Sequence, residues 1–386
     1  MRPAWQVVSA LGIFEILAWG STYYLPAVLA LPIATDTGWP LSWVISGLSL
    51  GLLVSAAVSP RIGAVIGQRG GRPVMALGAA VLVPGLTILG AAPNLAVFLS
   101  GWVVIGLGMG MTLYDPAFAT LGRIYGAHAR SAITRLTLWG GFASTICWPL
   151  SALLVQHVGW RGACFAYALL HLTISLPLAL RFLPRALRDS GGEHRDSPGL
   201  IAAPTAQRTF VLLAILLTLM GTIFGMVSVH LLTLLQSRGE TLAGAVAIGA
   251  LVGPSQVGAR LVEMAGRGKH HPLWTLRAAV ILITVGLCLL ALDTQAVLIA
   301  VMLYAAGNGL SSIARGTVPL ALFGPIAYGG LVGRLARPAL AAQAVAPTLG
   351  AALITYGGPS TMLICLVGLS LTALLLLALL KAPPPF

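Results

Sequence analysis

The chain is predicted to be an all-α membrane protein, with twelve transmembrane helices in two six-helix pseudo-symmetric lobes. Three observations predict this. First, 58% of the 386 residues are hydrophobic and only 8% are charged, where a soluble domain carries about 25% charged residues. Second, long apolar stretches fall on both sides of one polar interruption, residues 184–207, six on each side. Third, the cationic side chains gather in alternate loops. Runs such as 369–380 (LSLTALLLLALL) also lack the ~10-residue apolar–polar alternation of a membrane β-strand.

The N-terminal lobe, 1–183, holds spans near 7–31, 41–59, 73–92, 95–118, 131–156 and 162–183. The C-terminal lobe, 208–386, holds spans near 208–236, 241–263, 273–292, 295–316, 330–356 and 360–381. A bilayer-crossing helix needs roughly 20 mostly apolar residues, and each stretch supplies about that. The first is too long for a signal-peptide core and is read as a retained helix. Pro26, Pro84, Pro149, Pro177, Pro254 and Pro347 sit inside spans, where neighbouring helices can satisfy the carbonyls that proline frees. Gly106, Gly108 and Gly110 crowd span four, and Gly140 and Gly141 span five. Small residues let lipid-embedded helices approach closely.

A net charge of +13 would point to nucleic acid if it were gathered on one soluble face. Its placement says otherwise. Arg61, Arg69, Arg72, Arg123, Arg130, Arg185, Arg188, Arg195, Arg267, Lys269, Arg334 and Arg337 fall in or beside even-numbered loops. Odd-numbered loops hold mainly Arg161 and Arg238, with Asp36, Glu240 and Asp293. This is the positive-inside bias, which puts both termini and the central loop in the cytoplasm of a bacterial-type inner membrane. Nucleic acid is therefore not expected as a partner. Cys147, Cys164, Cys288 and Cys365 all fall in spans without CxxC spacing, so neither a metal site nor a disulfide is expected. The chain has no nucleotide loop, HExxH or GxSxG, so no enzyme and no cofactor are expected.

The halves echo each other weakly. RIGAVIGQRGGRP from Arg61 to Pro73 aligns without gaps on RLVEMAGRGKHHP from Arg260 to Pro272, sharing Arg, Gly and Pro at Arg61/Arg260, Gly67/Gly266 and Pro73/Pro272. Parallel repeats of this kind are typical of two-lobed carriers.

The stretch from Gly63 to Arg72 (GAVIGQRGGR) resembles the loop between spans two and three of the major facilitator superfamily, usually GxxxDRxGxR. Gly63, Gly70 and Arg72 match; Gly67 stands at the expected Asp and Gln68 at the first Arg. Gly159-Trp160-Arg161 with Phe165 is similar to the signature that opens span six in that superfamily. Drug:proton antiporters of the superfamily carry an Arg where this chain has Trp102, and Gly-Pro where it has Trp148-Pro149. The start of span two, TGWPLSW from Thr37 to Trp43, and Gln256-Val-Gly-Ala-Arg260 in span eight look more like carriers of monocarboxylates and the oxalate–formate group. Monocarboxylate porters commonly carry an Asp where this chain has Gln256. The resemblance implies a transporter working as a monomer by alternating access.

Ionisable groups inside spans cost several kcal/mol unless paired or hydrated, so those present are candidate functional residues. Glu15 in span one is a candidate proton acceptor, or a structural hydrogen-bonding group. In WGSTYYLP, residues Trp19, Thr22, Tyr23 and Pro26 share a face by helical spacing, a strip suited to a small polar ligand or to packing. Tyr24 could sit in an interfacial aromatic belt. Asp115 late in span four and Arg135 early in span five are expected to form a salt bridge that could act as an inward gate. His171 and His230 are read first as hydrogen-bonded core and second as titrating groups. Arg260 is the candidate for an anionic substrate, since a guanidinium can hold a carboxylate by two parallel hydrogen bonds. It lies eighteen residues after Leu242, about 27 Å along a helix, near the cytoplasmic end, where Glu263 is an alternative partner. Asn308 and Arg315 in span ten are further binding candidates.

The expected function is secondary transport of a small solute, favouring a small organic anion such as a monocarboxylate. Proton coupling would run through Glu15 or Asp115, and the partners would be the solute, protons and membrane lipid. Two alternatives stay open: proton-driven efflux of a hydrophobic or cationic compound, and a non-transporting membrane sensor.

Overall fold

The computed structural model describes residues 4–185, 204–266, 269–292 and 296–380. The predicted central loop lies mostly outside them, as do Arg188, Arg195, Arg267 and Asp293. Among the described residues the regular elements are all helical. In the first half they are α1 (Ala4–Ser21), α2 (Leu25–Thr37), α3 (Leu41–Arg69), α4 (Gly71–Ala91), α5 (Leu95–Thr112), α6 (Tyr114–Tyr125), α7 (Ala129–Gly141), α8 (Ala143–Leu170) and α9 (Leu176–Phe182). In the second half they are α10 (Pro204–Gln236), α11 (Leu242–Ala250), α12 (Val252–Ala265), α13 (Pro272–Ala291) and α14 (Val297–Leu379).

Eight stretches among the described residues are long and apolar enough to cross a membrane. Two of them, Leu95–Phe182 and Val297–Leu379, are too long for one crossing, because 83 residues would run about 125 Å as a straight helix. Backbone breaks interrupt both. The first turns at Leu113 (ψ −170°), at Gly126 (φ 55°) and at Gly159 (φ 70°). α14 turns at Gly324 (φ 74°) and Gly358 (φ 80°), left-handed conformations at which helices end and which glycine adopts without a Cβ clash.

Proline explains two further breaks. Pro26 has no N–H to give the Thr22 carbonyl, so α1 stops at Ser21, Leu25 N bonds Thr22 O at 3.2 Å, and Tyr24 N reaches back to Trp19 O at 2.9 Å. Pro254 likewise withholds a donor from Ala250, where α11 ends and α12 begins.

The chain divides into two compact units, Met1–Ser197 with Gly324–Arg337, and Pro198–Phe323 with Pro338–Phe386. The segment Gly324–Arg337, drawn from the second half of the sequence, thus packs within the first unit. There the expected close packing is visible. A Cβ on Gly106 of α5 would stand 2.5 Å from Gly51 O of α3, and one on Gly108 2.5 Å from a methyl of Leu82.

The Gly159-Trp160-Arg161 signature acts as a clasp in this unit. Trp160 Nε1 donates to Asp36 Oδ2 at 2.9 Å, Arg161 pairs with the same oxygen at 3.2 Å, and Arg161 Nη2 reaches Ala92 O at 3.4 Å. The clasp ties the end of α2 to the α4–α5 turn and to α8. In the aligned repeat, Pro73 and Pro272 both stand in the first turns of their helices, α4 and α13, but Arg61 is exposed while Arg260 is buried. The echo is one of helix starts and not of side-chain environment.

Candidate functional site

In the first unit the candidate site is built around Glu15. The side chain is fully buried in α1. Trp19, one turn on, donates from Nε1 to Glu15 Oε2 at 2.9 Å, and Oε1 is buried without a hydrogen-bond partner. Around Trp19 an aromatic cluster assembles, with ring centroids 5.4 Å from Tyr23, 5.9 Å from Tyr24 and 5.0 Å from Tyr114. Tyr114 stacks on Phe118 at 5.1 Å, and Tyr24 meets Trp148 edge-on at 6.3 Å.

The break at Thr22–Tyr24 corrects the expected strip of Trp19, Thr22, Tyr23 and Pro26. One helical face does not run through it. Trp19 and Tyr23 do meet, but Thr22 is fully buried with its hydroxyl donating to Ala18 O at 2.6 Å. Pro26 turns to a small apolar cavity shared with Leu89, Phe98 and Trp102.

Asp115 occupies the first turn of α6, just past the break at Leu113. A carboxylate is favoured at a helix N-terminus. The expected salt bridge to Arg135 is not formed: Arg135 is exposed on α7 and no ion pair joins the two. The reason is the direction of α6, which carries Asp115 towards a narrow cavity lined by Ser59, Ile62, Gly63, Pro116 and Gly333.

That cavity adjoins a helix crossing without side chains. On α3, a Cβ at Gly63 would collide with Gly329 O and stand 3.1 Å from Gly333. A Cβ at Gly333 would in turn collide with Ser59 O. Tyr328, fully buried, packs on Gly122.

The loop at the end of α3 is held by a cation from α6. Arg123, in the last turn of α6, donates to Gly67 O and, at 3.3 Å, to Gln68 O. A cation is favoured here, at the carbonyl-rich C-terminus of α3. Gly70 (φ 78°) turns the chain into α4, with half-buried Arg72 in its first turn.

In the second unit, Arg260 is 5% exposed. Its Nε donates to Gly309 O at 3.3 Å, and Nη2 makes a long contact of 3.5 Å to Gln256 Oε1. A Cβ on Gly309 would lie 2.6 Å from Gln256 O, so the α12 and α14 backbones touch here. Helical side chains lean towards the N-terminus of their helix, so the guanidinium lies up the helix from its own Cα. Gly309 stands about 18 Å along α14 from Val297. Glu263 accepts from Thr275 Oγ1 at 2.8 Å and lies 3.1 Å from His270 Nε2. Asn308 and Arg315 are half-buried on α14.

Both histidines are hydrogen-bonded, His171 fully buried and His230 half-buried. His230 Nε2 meets Pro347 O at 2.9 Å. His171 bridges Ser21 Oγ at 2.7 Å and Ser175 Oγ at 3.0 Å. Sequence reasoning missed Tyr114 and Trp148 as members of the cluster, and Arg123 as the loop's clamp. The signal for Tyr114 was its place beside Asp115-Pro116, where an acidic residue and a proline open a helix.

A sequence model described as Major Facilitator Superfamily matches residues 11–336. A human protein named Monocarboxylate transporter 11 is 30% identical over 235 residues, which is 59% of this chain and 47% of that protein. Bovine Monocarboxylate transporter 13 is 29% identical over 202 residues, covering 52% of this chain and 46% of the relative. The chain thus matches about half the length of these relatives. Among solved structures, the human organic anion transporter MFSD10 (TETRAN) aligns with a TM-score of 0.71 at 18% identity, over 98% of this chain and 100% of that one. FucP, a superfamily transporter captured in the outward conformation, aligns with a TM-score of 0.75 at 12% identity, over 96% and 98%.

Proposed function

Because this chain belongs to the major facilitator superfamily, near its monocarboxylate group, we propose that it is a secondary active transporter of a small organic anion of the monocarboxylate class. The observation that carries the substrate class is Arg260, a buried guanidinium on α12. Its planar fork can hold a carboxylate by two parallel hydrogen bonds. The names of the monocarboxylate relatives support the same class. Within the second unit Asn308 and Arg315 on α14 are further proposed solute contacts; within the first unit, taken by itself, Trp19 and Tyr23 are.

The proposed architecture is twelve spans in two six-helix lobes, 1–183 and 208–386, rocking about a midplane site. The breaks at Gly126, Gly159, Gly324 and Gly358 support that count by cutting the longest helices into membrane-sized pieces. The alternation of cationic loops supports cytoplasmic termini in a bacterial-type inner membrane. Glu15 is the proposed proton site, since ionisable groups inside spans are rare and mark function by default, and one oxygen of this buried carboxyl has no hydrogen-bond partner. The glycine crossing at Gly63 and Gly333, with Asp115 beside it, is the proposed inward gate, and the functional unit is a monomer.

One observation favours a second reading. A buried carboxyl bonded to Trp19, whose ring in turn meets Tyr23, Tyr24 and Tyr114, also suits an organic cation, through ring quadrupoles and charge. Uptake of short radiolabelled monocarboxylates and of a quaternary ammonium dye into proteoliposomes separates the two. Saturable carboxylate uptake that Arg260→Leu abolishes is the expected result. Cation transport indifferent to that substitution would replace the anion reading with efflux, and solute binding without flux would replace both with a sensor.

A further inference from the structure

The geometry points to His171 as a positioning residue. We propose that the buried chain Ser21–His171–Ser175 sets the angle at which the break in the first helix presents Tyr23, with Tyr24 beside it, to the solute.

Two helix defects face each other here, and a proline stands behind each. Pro26 withholds a donor from Thr22 O, and α1 ends at Ser21. Pro177 withholds one from Thr173 O. The residues just before it, His171–Ser175, form a π-helical turn closed by Leu176 N to His171 O. π-Helical turns are rare, appear mostly as single turns within α-helices, and are frequent at functional sites. The turn places the imidazole between the two defects.

All three polar side chains are fully buried. Both ring nitrogens are engaged, Nε2 with Ser21 Oγ at 2.7 Å and Nδ1 with Ser175 Oγ at 3.0 Å. A neutral imidazole has one donor and one acceptor nitrogen, so the two hydroxyls must take complementary roles and the chain is directional. Ser21 is the last residue of α1 and precedes Thr22, Tyr23 and Tyr24 directly. The backbone around it is also gripped from another side, where Cys147 Sγ reaches Ile16 O at 3.4 Å and packs against Gly20. With Gly20 and Ser21 fixed, the short non-helical link has little freedom left, and the Trp19–Tyr23–Tyr24 cluster follows from it. An apolar residue at 171 would leave the link attached by packing alone, which is non-directional.

The inference rests on the transport reading only in taking Tyr23 as a solute contact, and its test has two arms. In proteoliposomes, His171→Leu and Ser21→Ala are expected to raise the KM for a short monocarboxylate by at least about fivefold with the maximal rate near wild type. His171→Gln, whose amide can reach Ser21, should restore most of it. Unchanged KM with a lower maximal rate or yield would reduce His171 to a core residue and overturn the proposal. The second arm needs no solute. With Tyr24→Cys introduced, the rate of maleimide labelling at that position is followed by peptide mass spectrometry, apart from the half-buried Cys288 and Cys365. His171→Leu should change the rate and His171→Gln should not. Equal rates in all backgrounds would overturn the proposal even if transport is shown, whereas a changed rate with no carboxylate uptake in the wild type would sustain the positioning role and reject the anion reading.

Discussion

Trp19 Nε1 donates a 2.9 Å hydrogen bond to Oε2 of Glu15, one turn earlier in the same helix, while Oε1 of that carboxyl is buried and unpartnered. The pair divides the carboxyl into one satisfied and one unsatisfied oxygen. A buried polar atom left unpaired costs free energy, and more when charged. The unpartnered oxygen is the atom on which the proposed coupling role centres.

Glu15→Gln tests that role. The amide keeps the acceptor for Trp19 and removes the titrating group. Accumulation of solute driven by an imposed pH gradient should fall by about tenfold or more, while solute exchange without a gradient stays within about twofold. Parallel gradient-driven and exchange assays in proteoliposomes measure both. Loss of the two together would remove Glu15 from coupling and make it a structural residue.

The clamp of Arg123 on Gly67 O and Gln68 O predicts an uncommon outcome, a stabilising glycine replacement. A Cβ at Gly67 meets nothing nearer than Gly330 N at 4.0 Å, so a side chain fits. Gly67→Asp would place a carboxylate beside the guanidinium and remove a glycine from a helix end, together about 0.5–1.5 kcal/mol. Arg123→Ala should instead destabilise by about 1–3 kcal/mol, as carbonyls lose a charged donor. Thermal unfolding of the detergent-purified variants, with the double substitution as control, decides the sign.

At Gly63 the same substitution has the opposite result. Even one methyl there would collide with Gly329 O, and backbone cannot yield as a flexible side chain can. Gly63→Ala is expected to cost about 1–3 kcal/mol of stability, or to separate α3 from the Gly324–Arg337 segment. Cross-linking of a cysteine pair placed at Gly67 and Gly330, where a Cβ meets nothing nearer than 4.0 Å, would report the separation directly. Efficient cross-linking in both backgrounds would show that the crossing tolerates a side chain.

What could be read from sequence divides along physical lines. The helical class, the apolar spans and the family signature at Gly63, Gly70 and Gly159 follow from composition and from local backbone demands, which a single sequence carries. Pro26 announced a bend but not its consequence, because helical spacing was extended across it to Thr22 and Pro26. Asp115 and Arg135 were paired because both stand near the same end of neighbouring spans. The break at Leu113, which turns Asp115 away, depends on packing that no local pattern encodes. Ser21 and His171 lie far apart in sequence, and only the fold shows that two prolines bring them together. Arg260 was assigned a depth by its Cα, whereas a long side chain carries its charge elsewhere.

The last prediction concerns that charge. If Arg260 holds a carboxylate through two parallel N–H···O bonds, shape matters as well as sign. Arg260→Lys keeps the positive charge but replaces a planar fork by a compact ammonium. It also gives up the Nε bond to Gly309 O, seen at 3.3 Å. The KM for a monocarboxylate should then rise by about tenfold, the loss of one charge-assisted hydrogen bond, while Arg260→Leu abolishes uptake. A role in helix packing predicts another pattern. The close α12–α14 contact at Gln256 and Gly309 would still form with lysine or leucine, and both variants would lose stability without a graded change in KM. Concentration-dependent uptake by the lysine variant, set beside its thermal unfolding, separates a residue that reads the solute from one that only joins two helices.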